Sequence, residues 1–169
     1  LYKRAAIVYK SLERQEANPE QKLIYQDSTL MMYDIWMNRF KADAKIPAIQ
    51  NDKAEVYYRY FSSRTNVNLE HLSTFYKDVI ETNGVDVSSK NIEYYMAIAI
   101  AQKSLGEVND FKVLEIFTYC IEQLGLQRIS ESISEKNKQK AKKSVDRISS
   151  VVVNNVKMDC DQVEAYFKP

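Results

Sequence analysis

The side chains able to do chemistry are few and poorly placed for it. His71 is the one histidine and stands beside Glu70, so no two-histidine metal pair or histidine-based dyad can be assembled. The two cysteines, Cys120 and Cys160, lie outside any nucleophile motif, as do the serines, and three glycines in 169 residues make no phosphate-cradling loop. No catalytic residue, metal, cofactor or small-molecule substrate is therefore expected. Recognition chemistry remains. The Asn91 amide, at a helix start, can donate and accept at once. Lys136, Lys138, Lys140, Lys142 and Lys143 form the one local basic cluster, and Lys136, Lys140 and Lys143 share a helix face. A solvated face explains that cluster most economically; the alternative is peripheral membrane contact or an acidic partner, whose binding would fall with salt.

Composition narrows the class further. Twenty-four Lys and Arg against 23 Asp and Glu leave a net charge of +1, so no global field draws the chain to nucleic acid or an acidic membrane. The aromatic residues could stack on single-stranded RNA, but no basic groove accompanies them. Three glycines and three prolines suit long helices and starve a many-turned β fold. An all-α protein follows, long enough to bury a core without disulfides. Unpaired cysteines, with no membrane-spanning run or signal-peptide pattern, point to an intracellular setting, and Leu1 to a fragment of a longer chain.

Helices must position these residues. Residues 1–16 read as a helix with Leu1, Ala5, Val8 and Leu12 on one face. Asn18-Pro19-Glu20 is a strong start for a second helix, running to about Ala44 with a possible break at Asp27-Ser28 and with Leu23, Leu30, Met31, Ile35 and Trp36 apolar. That apolar load predicts docking on the rest of the chain or on a partner. Ile46-Pro47 to Asp52 reads as a connection, which sets the expected division at 1–50 and 51–169. Tyr57, Tyr58, Tyr60 and Phe61 suggest a short buried helix. Asn68 then caps a helix with Leu69, Leu72, Tyr76, Val79 and Ile80 inward, closed by Asn83-Gly84. A central helix from Ser88-Ser89 to Leu105-Gly106 carries Ile92, Tyr95, Met96 and Ala99. Asn109-Asp110 opens the next, whose stripe is Val113, Ile116, Phe117, Cys120, Ile121 and Leu124, and Gly125 is expected to end it. Tyr95, Ile116, Phe117, Ile121 and Leu72 should be buried together. Ser132-x-x-Glu135 has the form of a capping box opening a long last helix, followed by a terminal turn from Asp161 to Lys168.

The stretch Ser88-x-x-Asn91-Ile92-Glu93-Tyr94-Tyr95-x-Ala97 resembles the central motif of the regulator of G-protein signalling (RGS) homology domain. The likeness keeps its order over residues 58–169: Tyr58 and Phe75 upstream, Asp86 at an acidic family position, Ile116-Phe117 and Ile121 downstream, Ile129-Ser130 at a second contact loop, and Asp161 with Tyr166-Phe167-Lys168 at the end. The resemblance implies an antiparallel helical bundle, preceded here by an additional N-terminal helical segment. It further implies a protein-binding surface for a Gα subunit or a substitute partner, built from Asp86, Lys90, Asn91, Ser130, Asp161, Gln162 and Ala165. Such a domain does no chemistry itself; it holds the G protein's own switch residues in place. Lys90 stands where the family has an acid, Ser130 where it has asparagine, and Gln162 and Ala165 where it has serine and arginine, so GTPase activation is expected to be weak or absent. Asn91 could equally just support the helix start. The alternative is a tetratricopeptide-like scaffold, since Tyr94-Tyr95 to Gly106 followed by Val113 to Ile121 resembles one helical repeat, though no second copy appears.

Overall fold

The computed structural model describes residues 1–40, 46–61, 64 and 67–157, and over them the chain is all-helical. It divides into two compact units, Leu1–Asn66 and Val67–Pro169. The division falls later than the expected one because the third helix, α3 (Ile46–Phe61), packs along α2 and shares a core with it and with Ala6 of the first helix. Pro47, read from sequence as part of a connection, is the second residue of that helix. Proline is tolerated in a first turn, where its missing N–H has no intrahelical acceptor.

In the N-terminal unit, α1 (Tyr2–Gln15) and α2 (Pro19–Arg39) form a close hairpin. Asn18 caps α2 as its type predicts, accepting from the Glu20 and Gln21 amides at 2.9 and 3.2 Å. The helix is unbroken at Asp27-Ser28, and the expected extension toward Ala44 lies outside the described residues. The apolar core is Ala6, Tyr33, Ile49, Val56 and Tyr60, with Leu30, Met32, Trp36, Met37 and Ile46 packed against it. Much of the apolar load on α2 is thus covered within its own unit.

The inward face of this hairpin is partly polar. Leu1, Val8 and Leu12 are exposed, as are Leu23, Met31 and Ile35, while Glu13, Gln26 and Thr29 are buried. The buried polar groups satisfy one another. Gln26 Nε2 donates to Glu13 Oε1 at 3.2 Å, Arg64 Nε donates to Gln26 Oε1 at 3.4 Å, and the Tyr60 hydroxyl donates to Thr29 Oγ1 at 3.4 Å. Arg64 also pairs with Asp27 at 2.5 Å. Lys10 Nζ donates to the Tyr33 hydroxyl at 2.6 Å, and burial, with Asp52 next in effect, raises the Tyr33 pKa to about 12.

The C-terminal unit contains α4 (Leu69–Asn83), a 3-10 turn (Gly84–Asp86), α5 (Ser89–Ser104), α6 (Asp110–Ile129) and α7 (Glu135–Asn155). Asn68 accepts from the His71 amide at 2.8 Å and Asn109 from the Lys112 amide at 2.9 Å, so both expected caps form. Gly84 ends α4 at φ 51° and Gly106 follows α5 at φ 75°, a region glycine enters freely. The core includes Leu72, Tyr76, Val79, Ile80, Ile92, Tyr95, Met96, Ile98, Ala99, Val113, Ile116, Cys120 and Leu124. The Cys120 thiol donates weakly to the Ile92 carbonyl at 3.9 Å, and burial pushes its pKa up.

Three expectations differ here. Gly125 does not end α6, which continues to Ile129 because Leu124 and Gln127 on either side are buried and hold the turn in register. The capping box does not form. Ser134 is the N-cap of α7, and the Ser132 hydroxyl instead meets that of Ser130 at 2.8 Å. Phe117 and Ile121 are half-buried at the edge of the α6 stripe, whereas Tyr95, Ile116 and Leu72 are buried as expected.

Leu72→Ala should therefore cost about 2–5 kcal/mol, and Phe117→Ala roughly half of the ~3–5 kcal/mol typical of a fully enclosed phenylalanine. Denaturant melts that ranked Phe117→Ala as the costlier would show that the α6 stripe faces another way. Gly125→Ala should stabilise by about 0.5–1 kcal/mol, since a Cβ there meets nothing within 4 Å and the residue is helical. A lowered melting temperature for that variant would mean that the glycine serves packing after all.

Candidate partner-binding surface

The residues singled out around the central motif are gathered by one end of the C-terminal bundle. The 3-10 turn and the start of α5 sit beside the C-terminal end of α6, because Gln127 Nε2 donates to the Val87 carbonyl at 2.6 Å. Gln127 is 3 % exposed, so this bond is shielded from water and ties the segment before the motif to the segment before the α6–α7 connection. Sequence reasoning passed over it. Its only signal is that position 127 continues the buried series 113, 116, 120, 124 with a polar side chain.

Asp86 and Lys90 are exposed at this end and Ser130 is partly exposed, so three of the expected contact residues lie on or near one surface. Lys90 Nζ lies 5.6 Å from the centroid of the Tyr94 ring, within range for a cation–π contact. Asn91 goes elsewhere: it is 0 % exposed, inside the first turn of α5. An amide without accessible surface cannot touch a partner unless the first turn of α5 opens. Ser88 is the N-cap residue of α5 and makes no side-chain capping bond. Asp161, Gln162 and Ala165 lie outside the described residues, as does the terminal turn.

Lys136, Lys140 and Lys143 are exposed on α7, and Arg147 continues their spacing on the same face. Arg147 Nη1 donates to Glu93 Oε1 at 2.9 Å, an oxygen that also accepts from Ser144 Oγ at 2.5 Å. Glu93, within the motif stretch, thus fastens α5 to α7. Lys138 turns toward Glu135 at 2.9 Å.

Among the described residues no group of histidines, cysteines and carboxylates could hold a metal ion, and no helix is long and apolar enough to cross a membrane. His71 is exposed at the start of α4. The chain matches no protein-family model, no curated protein and no solved structure.

Removing the clamp should loosen this end. Gln127→Leu leaves the Val87 carbonyl buried without its donor, a loss of about 1–3 kcal/mol, and amide exchange should accelerate over residues 84–92. Unchanged exchange there would show that the turn is held by other contacts.

Proposed function

We propose that residues 67–169 act as an RGS-like protein-interaction module of an intracellular signalling protein, meeting a Gα subunit or a substitute partner through the end of the bundle that carries Asp86, Lys90 and Ser130. GTPase-activating power is weak or absent. The observation that supports this reading is the Gln127–Val87 hydrogen bond, which brings the turn before the motif and the α6–α7 connection to one end, as a two-loop contact surface requires. Two features argue against strong activation. A lysine occupies the acid's place at position 90, which reverses a charge at the contact, and the Asn91 amide is enclosed.

A tetratricopeptide-like scaffold is the second reading. It is favoured by the packing of α7 against both α5 and α6, as the first helix of a following repeat would pack.

Single-turnover GTP hydrolysis by a panel of Gα subunits, with and without the full chain, tests the first reading alongside direct binding. Stimulation should stay at most a few-fold, and Lys90→Glu should strengthen Gα binding by on the order of tenfold by restoring the acid. Strong stimulation abolished by Asn91→Ala would overturn the weak-activity claim. Binding to no Gα, or binding indifferent to both Asp86→Lys and Lys90→Glu, would reject this surface and favour the scaffold.

A further inference from the structure

α4 and α6 each pack along α5 but scarcely touch each other, and a groove lies between them. Two cavities of about 630 and 620 Å³ occupy it end to end, sharing Ser73, Thr74, Tyr95, Lys112 and Ile116. From Asn68 to Glu81 along α4 the groove extends about 20 Å at 1.5 Å per residue. Its floor comes from Tyr95, Gln102 and Ile116, which are 5 %, 5 % and 4 % exposed. The rims carry six carboxylates, Glu70, Asp78, Glu81, Glu107, Glu115 and Glu122, against the two lysines Lys77 and Lys112. Both lysines are already engaged, with Glu81 at 3.8 Å and Glu115 at 2.8 Å. Among the described residues the other four carboxylates have no cationic partner.

A second feature is independent of that charge. Gln102, a residue only 5 % exposed, lines the groove, and its side chain makes no hydrogen bond among the described residues. Interior amides are normally satisfied, and one left open into a cavity provides a donor and an acceptor for an occupant. Tyr95 and Tyr119 add aromatic surface beside the carboxylates, a combination that suits ammonium and guanidinium groups. A trough between two helices over a third is also the seat that a further helix takes in a bundle.

We propose that the α4–α6 groove docks a lysine- and arginine-rich amphipathic peptide helix of about four turns. Its cations meet the carboxylate rims, and a narrow apolar edge rests on Tyr95 and Ile116. The groove is a different surface from the end of the bundle described above, and the proposal does not rest on that reading.

The test is fluorescence anisotropy of the full chain with a labelled peptide of about four helical turns, leucines at i, i+3, i+4 spacing and lysines elsewhere, against the same peptide with glutamate for lysine. The cationic peptide should bind and the anionic one should not, and added salt should weaken the complex. Glu81→Lys with Glu122→Lys should lower affinity at least about tenfold. Thr74→Trp should do the same without changing any charge, by filling the groove from an exposed α4 position, and it decides the matter alone if the double variant does not fold. Glu131→Lys, an exposed reversal in the α6–α7 connection, should leave binding unchanged. Indifference to Thr74→Trp, an equal loss with Glu131→Lys, or equal binding of the two peptides would each overturn the proposal.

Discussion

The C-terminal unit depends on one constraint: α5 must be buried on nearly every side. α4, α6 and α7 all pack on it, and Ile92, Tyr95, Met96, Ile98 and Ala99 each lose at least 95 % of their exposure. A helix with three neighbours cannot be amphipathic, and its apolar residues go round the cylinder rather than along a stripe. Polar groups on such a helix must then be enclosed with a partner, reach an edge, or face a gap between neighbours. Glu93 takes the second course and bonds Ser144 and Arg147 of α7. Asn91 is enclosed in the first turn of α5, so a residue that reads from sequence as a surface contact ends inside.

The N-terminal hairpin obeys the opposite logic. The apolar stripe read on α1 faces outward, and of the apolar residues read on α2 Leu23, Met31 and Ile35 are exposed while Leu30 and Trp36 pack on the core, with Glu13, Gln26 and Thr29 buried beside them. Burying Glu13, Gln26 and Thr29 is tolerable only because Gln26 bridges Glu13 and Arg64 and Tyr60 reaches Thr29. Each of those bonds joins residues 13 to 38 positions apart, so the network specifies how the segments align as well as satisfying polar atoms. Large tyrosines complete the interior: Tyr33 and Tyr60 are nearly buried, and their hydroxyls find Lys10 and Thr29.

These two units explain which parts of the fold could be read in advance. Helix starts with asparagine were legible, because Asn18, Asn68 and Asn109 act through bonds to amides two or three residues away. Stops were less so. Gly84 and Gly106 adopt positive φ, but Gly125 is an ordinary helical residue, and its identity cannot reveal that the flanking Leu124 and Gln127 have interior partners. Ser132 and Ser134 compete for the start of α7, and the local pattern favoured the wrong one. The inward face of α4 was fully readable, since Leu69, Leu72, Tyr76, Val79 and Ile80 form one stripe against one neighbour. On α1 periodicity located the stripe but not the side that packs, where the buried Glu13 accepts from Gln26 of α2. Of the expected contact set, Asp86, Lys90 and Ser130 come together through Gln127, a residue with no motif of its own.

The same constraint on α5 creates the groove. Three helices can surround a central one without all touching, and here α4 and α6 remain apart, so a strip of α5 is covered by neither. An apolar strip at that position would be a continuous hydrophobic patch, and the chain instead places Tyr95 and Gln102 there, with Ser73 beside the tyrosine hydroxyl. Tyr119 on the α6 wall feels its surroundings: burial first, then Glu81 and Tyr95, raise its pKa to about 12. Below that value the phenol stays neutral and leaves the negative charge to the rims, where the carboxylates are exposed. Carboxylates facing one another across a groove disfavour the empty state through mutual repulsion, and a cation between them relieves it. The central helix thus excludes water from most of its surface and, along the strip that α4 and α6 leave open, presents polar and aromatic groups between two acidic walls.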